Sequence, residues 1–175
     1  MLALFFTGLG LSMDAFSLSV VYGIMPLSLK KIGLLSFIVG ILHFLMPNLG
    51  ECIGNIISLN NVINSHVLVS IIFFILALQM FSSFKEEKEV ISLGSFSSFL
   101  LFGFTVSLDS FSVGVGYGSL DVNCILAGVI FAMLSMSFTF CGLLLGKFLN
   151  KIIGKLAILF GSFVLLVLSI YYFFL

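Results

Sequence analysis

The sequence predicts an all-α polytopic membrane protein with six transmembrane helices, built as two inverted-topology three-helix repeats. Three observations carry this. Of 175 residues, 61% are hydrophobic and 8% are charged, whereas a water-soluble domain carries roughly 25% charge to cover its surface. Six apolar stretches each approach the roughly 20 residues needed to cross a bilayer. A short motif centred on an aspartate occurs twice. Seven lysines balance seven acids, so no basic patch offers itself to nucleic acid. Hydrophobicity this high excludes disorder, and the scarcity of charge excludes a coiled coil.

The first span is read at 2–24. It starts at once, without a basic leader, and contains Asp14, so no cleavable signal peptide is expected. Met25-Pro26-Leu27-Ser28-Leu29-Lys30-Lys31 forms a turn into the second span, 32–54. Asn60-Asn61 through Ser65-His66 precede a third span at 67–84, which ends in the charged run Lys85-Glu86-Glu87-Lys88-Glu89. Spans four, five and six are read at 94–118, 124–146 and 156–175, separated by Ser119-Leu120-Asp121 and by Lys147 through Lys155. The chain is thus one membrane domain over 1–175, with repeat one at 1–84, a cytoplasmic charged loop at 85–93 and repeat two at 94–175. All seven lysines fall in loops one, three and five. The positive-inside rule puts those loops in the cytoplasm and both termini outside.

Leu11-Ser12-Met13-Asp14-Ala15-Phe16-Ser17 matches Val106-Ser107-Leu108-Asp109-Ser110-Phe111-Ser112. The register extends to Gly8 and Gly103, Val20 and Val115, Tyr22 and Tyr117, and Gly23 and Gly118, always at the offset of 95 residues that separates Asp14 from Asp109. In the remaining spans, Gly50-xxx-Gly54 resembles Gly142-xxx-Gly146. A duplicated unit with an odd number of spans enters the membrane from opposite sides. Several secondary transporters are built this way, with their substrate site at midplane depth between the repeats.

Asp14 and Asp109 fall near the middles of spans one and four. A carboxylate at that depth costs at least ~2.5 kcal/mol and normally faces a partner or a watery path. Helical spacing puts Asp14 on one face with Thr7, Gly10 and Ser17, and Asp109 with Thr105, Ser112 and Gly116. Two hard carboxylates with hydroxyl and carbonyl oxygens suit a divalent cation such as Mn²⁺ or Mg²⁺, and by charge two protons replace one such ion. The alternative is that each aspartate merely bonds a neighbouring helix. Span two adds His43, Pro47 and Asn48. Pro47 has no N–H to give the His43 carbonyl, which predicts a freed oxygen and a kink. His43 and Asn48 are candidate ligands or cavity liners, and each is equally readable as an interhelical hydrogen-bonder. Glu51 lies near the outer end of span two, as a snorkelling side chain or an exit-mouth residue. Gly8/Ser12, Gly103/Ser107, Gly114/Gly118, Gly50/Gly54 and Gly142/Gly146 are expected to permit close helix contact. Cys52, Cys124 and Cys141 form no CxxC pair and are read as membrane packing.

Ser12-Met13-Asp14-Ala15-Phe16, Ser107-Leu108-Asp109-Ser110-Phe111-Ser112-Val113-Gly114 and Met46-Pro47-Asn48-Leu49-Gly50 together resemble the manganese efflux pump (MntP) family of bacterial inner membranes, grouped with the LysE-type exporters. The resemblance spans nearly the whole chain. It implies that Asp14 and Asp109 are the essential membrane aspartates and that Mn²⁺ is exported as cargo, with no resident cofactor. Two departures bear on metal preference. The position of His43 is commonly glutamine or glutamate in that family, and Ala157-Ile158-Leu159 stands where an acidic residue is often found. The partners implied are Mn²⁺ or another divalent cation and the lipid bilayer; oligomeric state is left open. Other readings are a transporter for another cation, a sporulation-associated membrane protein of related sequence, a membrane scaffold, or an intramembrane aspartyl protease. Met13 and Leu108 stand where such proteases carry a tyrosine and a Gly-x-Gly, which counts against the last.

Overall fold

The computed structural model describes residues 1–59, 64–84, 95–120, 122–146, 148 and 151–175. Its helices are α1 (Leu2–Tyr22), α2 (Leu29–Leu59), α3 (Ser65–Ser83), α4 (Phe96–Ser119), α5 (Cys124–Leu145) and α6 (Lys151–Phe173), and no strand occurs among the described residues. All six are long and apolar enough to cross a membrane. Side-chain caps define three of the starts. Asn64 accepts from the His66 N–H, Asn123 accepts from the Leu126 N–H at 3.0 Å, and Ser95 makes a capping box with Ser98.

The charged ends differ from the sequence reading. Lys30 and Lys31 belong to the first turn of α2, not to a loop, and α6 already begins at Lys151 and includes Lys155. A lysine stem lies along apolar surface while its ammonium reaches the interface, so a helix can continue past its last apolar residue. The Lys155 Nζ stands 5.5 Å from the centre of the Phe84 ring. The second span is also longer than 32–54, running as 31 helical residues to Leu59 and continuous through Pro47. The run Lys85–Glu89, Asp121 and Lys147 lie outside the described residues.

Helix α2 packs chiefly on α4 and α5, α5 also on α1, and α6 on α1 and α3; α3 touches α4 more lightly, and α1 and α4 have few close backbone approaches. Exchanging α1 with α4, α2 with α5 and α3 with α6 maps these packed pairs onto one another, whereas the light α4–α5 contact has no α1–α2 counterpart of the same extent. Two glycine seams explain the tightest of them. In the first, a Cβ on Gly114 would collide with the Pro47 backbone, one on Gly118 would lie 2.6 Å from the Glu51 carbonyl oxygen, and Gly50 and Gly54 press on the α4 backbone from Phe111 to Ser119. In the second, a Cβ on Gly142 would lie 2.7 Å from Ser19 Cβ and one on Gly146 would lie 2.8 Å from Gly23 Cα. Ser19 and Gly23 stand 95 residues before Gly114 and Gly118, so matched positions build both seams.

Gly114→Leu forces side-chain atoms into the Pro47 backbone, and overpacking of this kind costs about 1–3 kcal/mol or more. A lower thermal unfolding midpoint in detergent is the expected result. Gly33→Ala meets nothing within 4 Å and is expected to leave the midpoint unchanged or slightly raised.

Candidate metal site

Helices α1 and α4 meet through side chains at both ends. The Thr7 hydroxyl and the Tyr117 phenol are 2.6 Å apart, and Thr7 also donates to the Ala3 carbonyl. At the other end the Tyr22 and Phe102 rings pack edge to face with centroids 5.0 Å apart. Thr7 matches Phe102 and Tyr22 matches Tyr117 at the 95-residue offset, so these are corresponding contacts. The residue numbers have the same sum in both, which fixes the antiparallel register and sets Asp14 level with Ser110 and Asp109 level with Ala15. With a rise of about 1.5 Å per residue, the two aspartates share one depth, roughly 11 Å inside either contact. Around its helix each aspartate is about 20° from the nearer-numbered contact residue and about 80° from the other. Both carboxylates are half-buried, and each interacts with the protein around it.

His43 enters the same layer from α2. It is fully buried, and its Nδ1 lies 3.0 Å from the Val39 carbonyl. A carbonyl only accepts, so Nδ1 carries the proton and Nε2 presents a lone pair in the neutral ring. No group among the described residues bonds Nε2, and His43 is near enough to Asp14 for the two side chains to interact electrostatically. Gly114 against Pro47 and Gly118 against Glu51 give α2 and α4 a constant parallel register, which sets Ser110 level with His43. Ser110 is fully buried and its hydroxyl also has no partner among the described residues.

The other sequence candidates are spread more widely. Ser17 is buried beside Gly154 of α6. Thr105 is exposed, its hydroxyl returned to the Leu101 carbonyl, and Ser112 is half-buried. Asn48 gives its amide N–H to the Phe44 carbonyl at 2.6 Å and lies against Gly128 of α5. Glu51 is half-buried about two turns beyond His43 toward the C-terminal end of α2, within hydrogen-bond reach of the Cys124 thiol. Asp14, Asp109 and His43 therefore share a layer that Ser17, Thr105 and Glu51 do not join. No group of three or more His, Cys, Asp or Glu side chains is poised to hold a metal among the described residues. An ion at this depth would need serine hydroxyls or backbone carbonyls to complete its coordination. Sequence reasoning missed Ser110 and the Thr7–Tyr117 bond. The signal for Ser110 was its place in the motif, where the first copy has Ala15.

The family model described as "Putative manganese efflux pump" matches residues 26–173. The chain belongs to the manganese efflux pump family. The match includes His43, Asp109 and Ser110 and begins beyond Asp14. Relatives carrying that description with the name MntP cover Asp14's half more fully. A Bacillus mycoides (strain KBAB4) protein is 32% identical over 92% of this chain and 89% of its own. A Geobacillus thermodenitrificans (strain NG80-2) protein is 31% identical over 97% and 93%. A Bacillus cereus (strain B4264) protein is 30% identical over 92% and 89%. No solved structure matches.

Tyr117→Phe deletes the phenol that joins α4 to Thr7 while keeping the ring that packs on Phe73 and Tyr172. Because the Thr7 hydroxyl keeps its bond to Ala3, the expected loss is about 0.5–1.5 kcal/mol, read as a modest fall in the thermal midpoint of the detergent-solubilised protein.

Proposed function

We propose that this chain exports Mn²⁺ from the cytoplasm across the bacterial inner membrane, holding the ion between Asp14 and Asp109 midway through the bilayer. The observation that carries the reading is the shared depth of these carboxylates between α1 and α4, in a member of the manganese efflux pump family. The efflux description also weighs against a protease or a passive scaffold. Two carboxylates neutralise one divalent ion, so replacing Mn²⁺ by two protons from outside keeps a desolvated site neutral, and leaving either charge uncompensated is costly. Proton exchange is therefore the coupling proposed.

The two halves are read as an inverted repeat that exposes the ion to each side in turn. Support comes from the correspondence of the main packed helix pairs on exchange of halves and from the matched seams. Parting of Tyr22 from Phe102 opens the layer toward the end that carries Lys30, Lys31 and Lys155, and parting of Thr7 from Tyr117 opens it toward the other. The lysine-bearing end is assigned to the cytoplasm, which leaves both chain termini outside.

In everted vesicles, Mn²⁺ uptake is expected to require a lumen more acidic than the medium. Asp14→Asn and Asp109→Asn should each lower it at least about tenfold, toward the level of empty-vector vesicles. Uptake that survives both substitutions would remove the site. The orientation is checked separately. With Cys52, Cys124 and Cys141 replaced by serine, Lys31→Cys is expected to react with an impermeant maleimide only after whole cells are permeabilised.

A further inference from the structure

A buried polar atom without a hydrogen bond costs about 1–3 kcal/mol, and His43 carries one in the layer of Asp14. Its surroundings are those of a prepared ligand. The Nδ1–H is fixed on the Val39 carbonyl at 3.0 Å, the device that orients metal-binding imidazoles and settles their tautomer. The Nε2 lone pair has no donor among the described residues, and the ring lies within electrostatic range of the Asp14 side chain. Packing alone does not account for this. By the matching of Gly50-xxx-Gly54 with Gly142-xxx-Gly146, the position corresponding to His43 is Ser135, and there the polar atom is satisfied by Ser12 at 3.2 Å. The hydroxyl of Ser110, level with His43, is likewise buried without a partner.

We propose that His43 Nε2 is a direct metal ligand, forming with the Asp14 carboxylate and the Ser110 hydroxyl a mixed nitrogen–oxygen site that widens the cargo from Mn²⁺ to borderline divalent ions such as Co²⁺ and Zn²⁺. This deepens the reading of Asp14 and Asp109 as cation-binding and rests on it. Imidazole nitrogen favours the later first-row ions over Mn²⁺, whereas an all-oxygen site suits Mn²⁺ and Mg²⁺.

The test uses the full-length protein in detergent with Mn²⁺ as the probe, read by electron spin-echo modulation, which detects a nitrogen bound to the metal. Modulation from ¹⁴N is expected in the unaltered protein, replaced by the ¹⁵N pattern when histidine is ¹⁵N-labelled, which needs no substitution and no assumption about variant folding. It should vanish in His43→Gln and persist in His66→Gln, the other histidine, which stands in the first turn of α3. In competition, His43→Gln is expected to reduce the preference for Co²⁺ over Mn²⁺ about tenfold. Bound Mn²⁺ that is lost in Asp14→Asn yet shows no histidine nitrogen would overturn this inference and leave the carboxylate site standing. Absence of Mn²⁺ binding, or binding indifferent to both aspartates, would overturn the two together.

Discussion

Helices surrounded by lipid gain nothing by hiding apolar surface from one another, because hydrocarbon is as apolar as leucine; they hold by close contact and by the few hydrogen bonds they share. The two glycine seams meet that constraint here. Gly114 and Gly118 bring the α4 backbone against Pro47 and Glu51 of α2, and Gly142 and Gly146 bring α5 against Ser19 and Gly23 of α1. Between them α2 and α5 cross, with Gly40 close to Met136 and Gly128 close to Phe44 and Asn48. A chain of backbone contacts thus runs α4–α2–α5–α1. Its two outer members are left to reach each other through the long side chains Tyr117 and Tyr22.

That separation gives the aspartates their setting. Directly abutting α1 and α4 backbones would leave no room for two carboxylates and an ion at one depth. Helices α1 and α4 instead have few close backbone approaches and are bridged near each end by a tyrosine. The remaining pair, α3 and α6, is bound differently. Ser70 and Ser169 each give a hydroxyl to the other's backbone carbonyl at 2.9 Å, and Tyr172 stacks on Phe73. These bonds are saturated and join two helices whose outer faces carry exposed phenylalanines such as Phe74 and Phe163. Their part is to flank the central four helices.

Matched packing coexists with unmatched chemistry. One α1–α4 contact is a hydrogen bond between hydroxyls, and its counterpart is a pair of apolar ring faces and edges. Ser135 bonds Ser12 where the Nε2 of His43 finds no partner among the described residues, and Ser110 replaces Ala15. The seams need only small side chains at fixed intervals, so they constrain few positions. The residues between them are free to make the two ends and the central layer different.

The helix count, the glycine pairs that form the seams and the two intramembrane aspartates were all legible in the sequence, because each depends on local composition, spacing or self-similarity. Helix ends were less so, since Lys30, Lys31 and Lys155 look like loop residues until the helices are seen to include them. The layer itself was decided by tertiary structure. That Ser17 turns to Gly154, that Thr105 faces outward and that His43 comes within electrostatic range of Asp14 all depend on how helices distant in the chain cross. Period and composition describe one helix at a time. A ligand set is a property of several, and it exists only once the close contacts between them have fixed their depth and rotation.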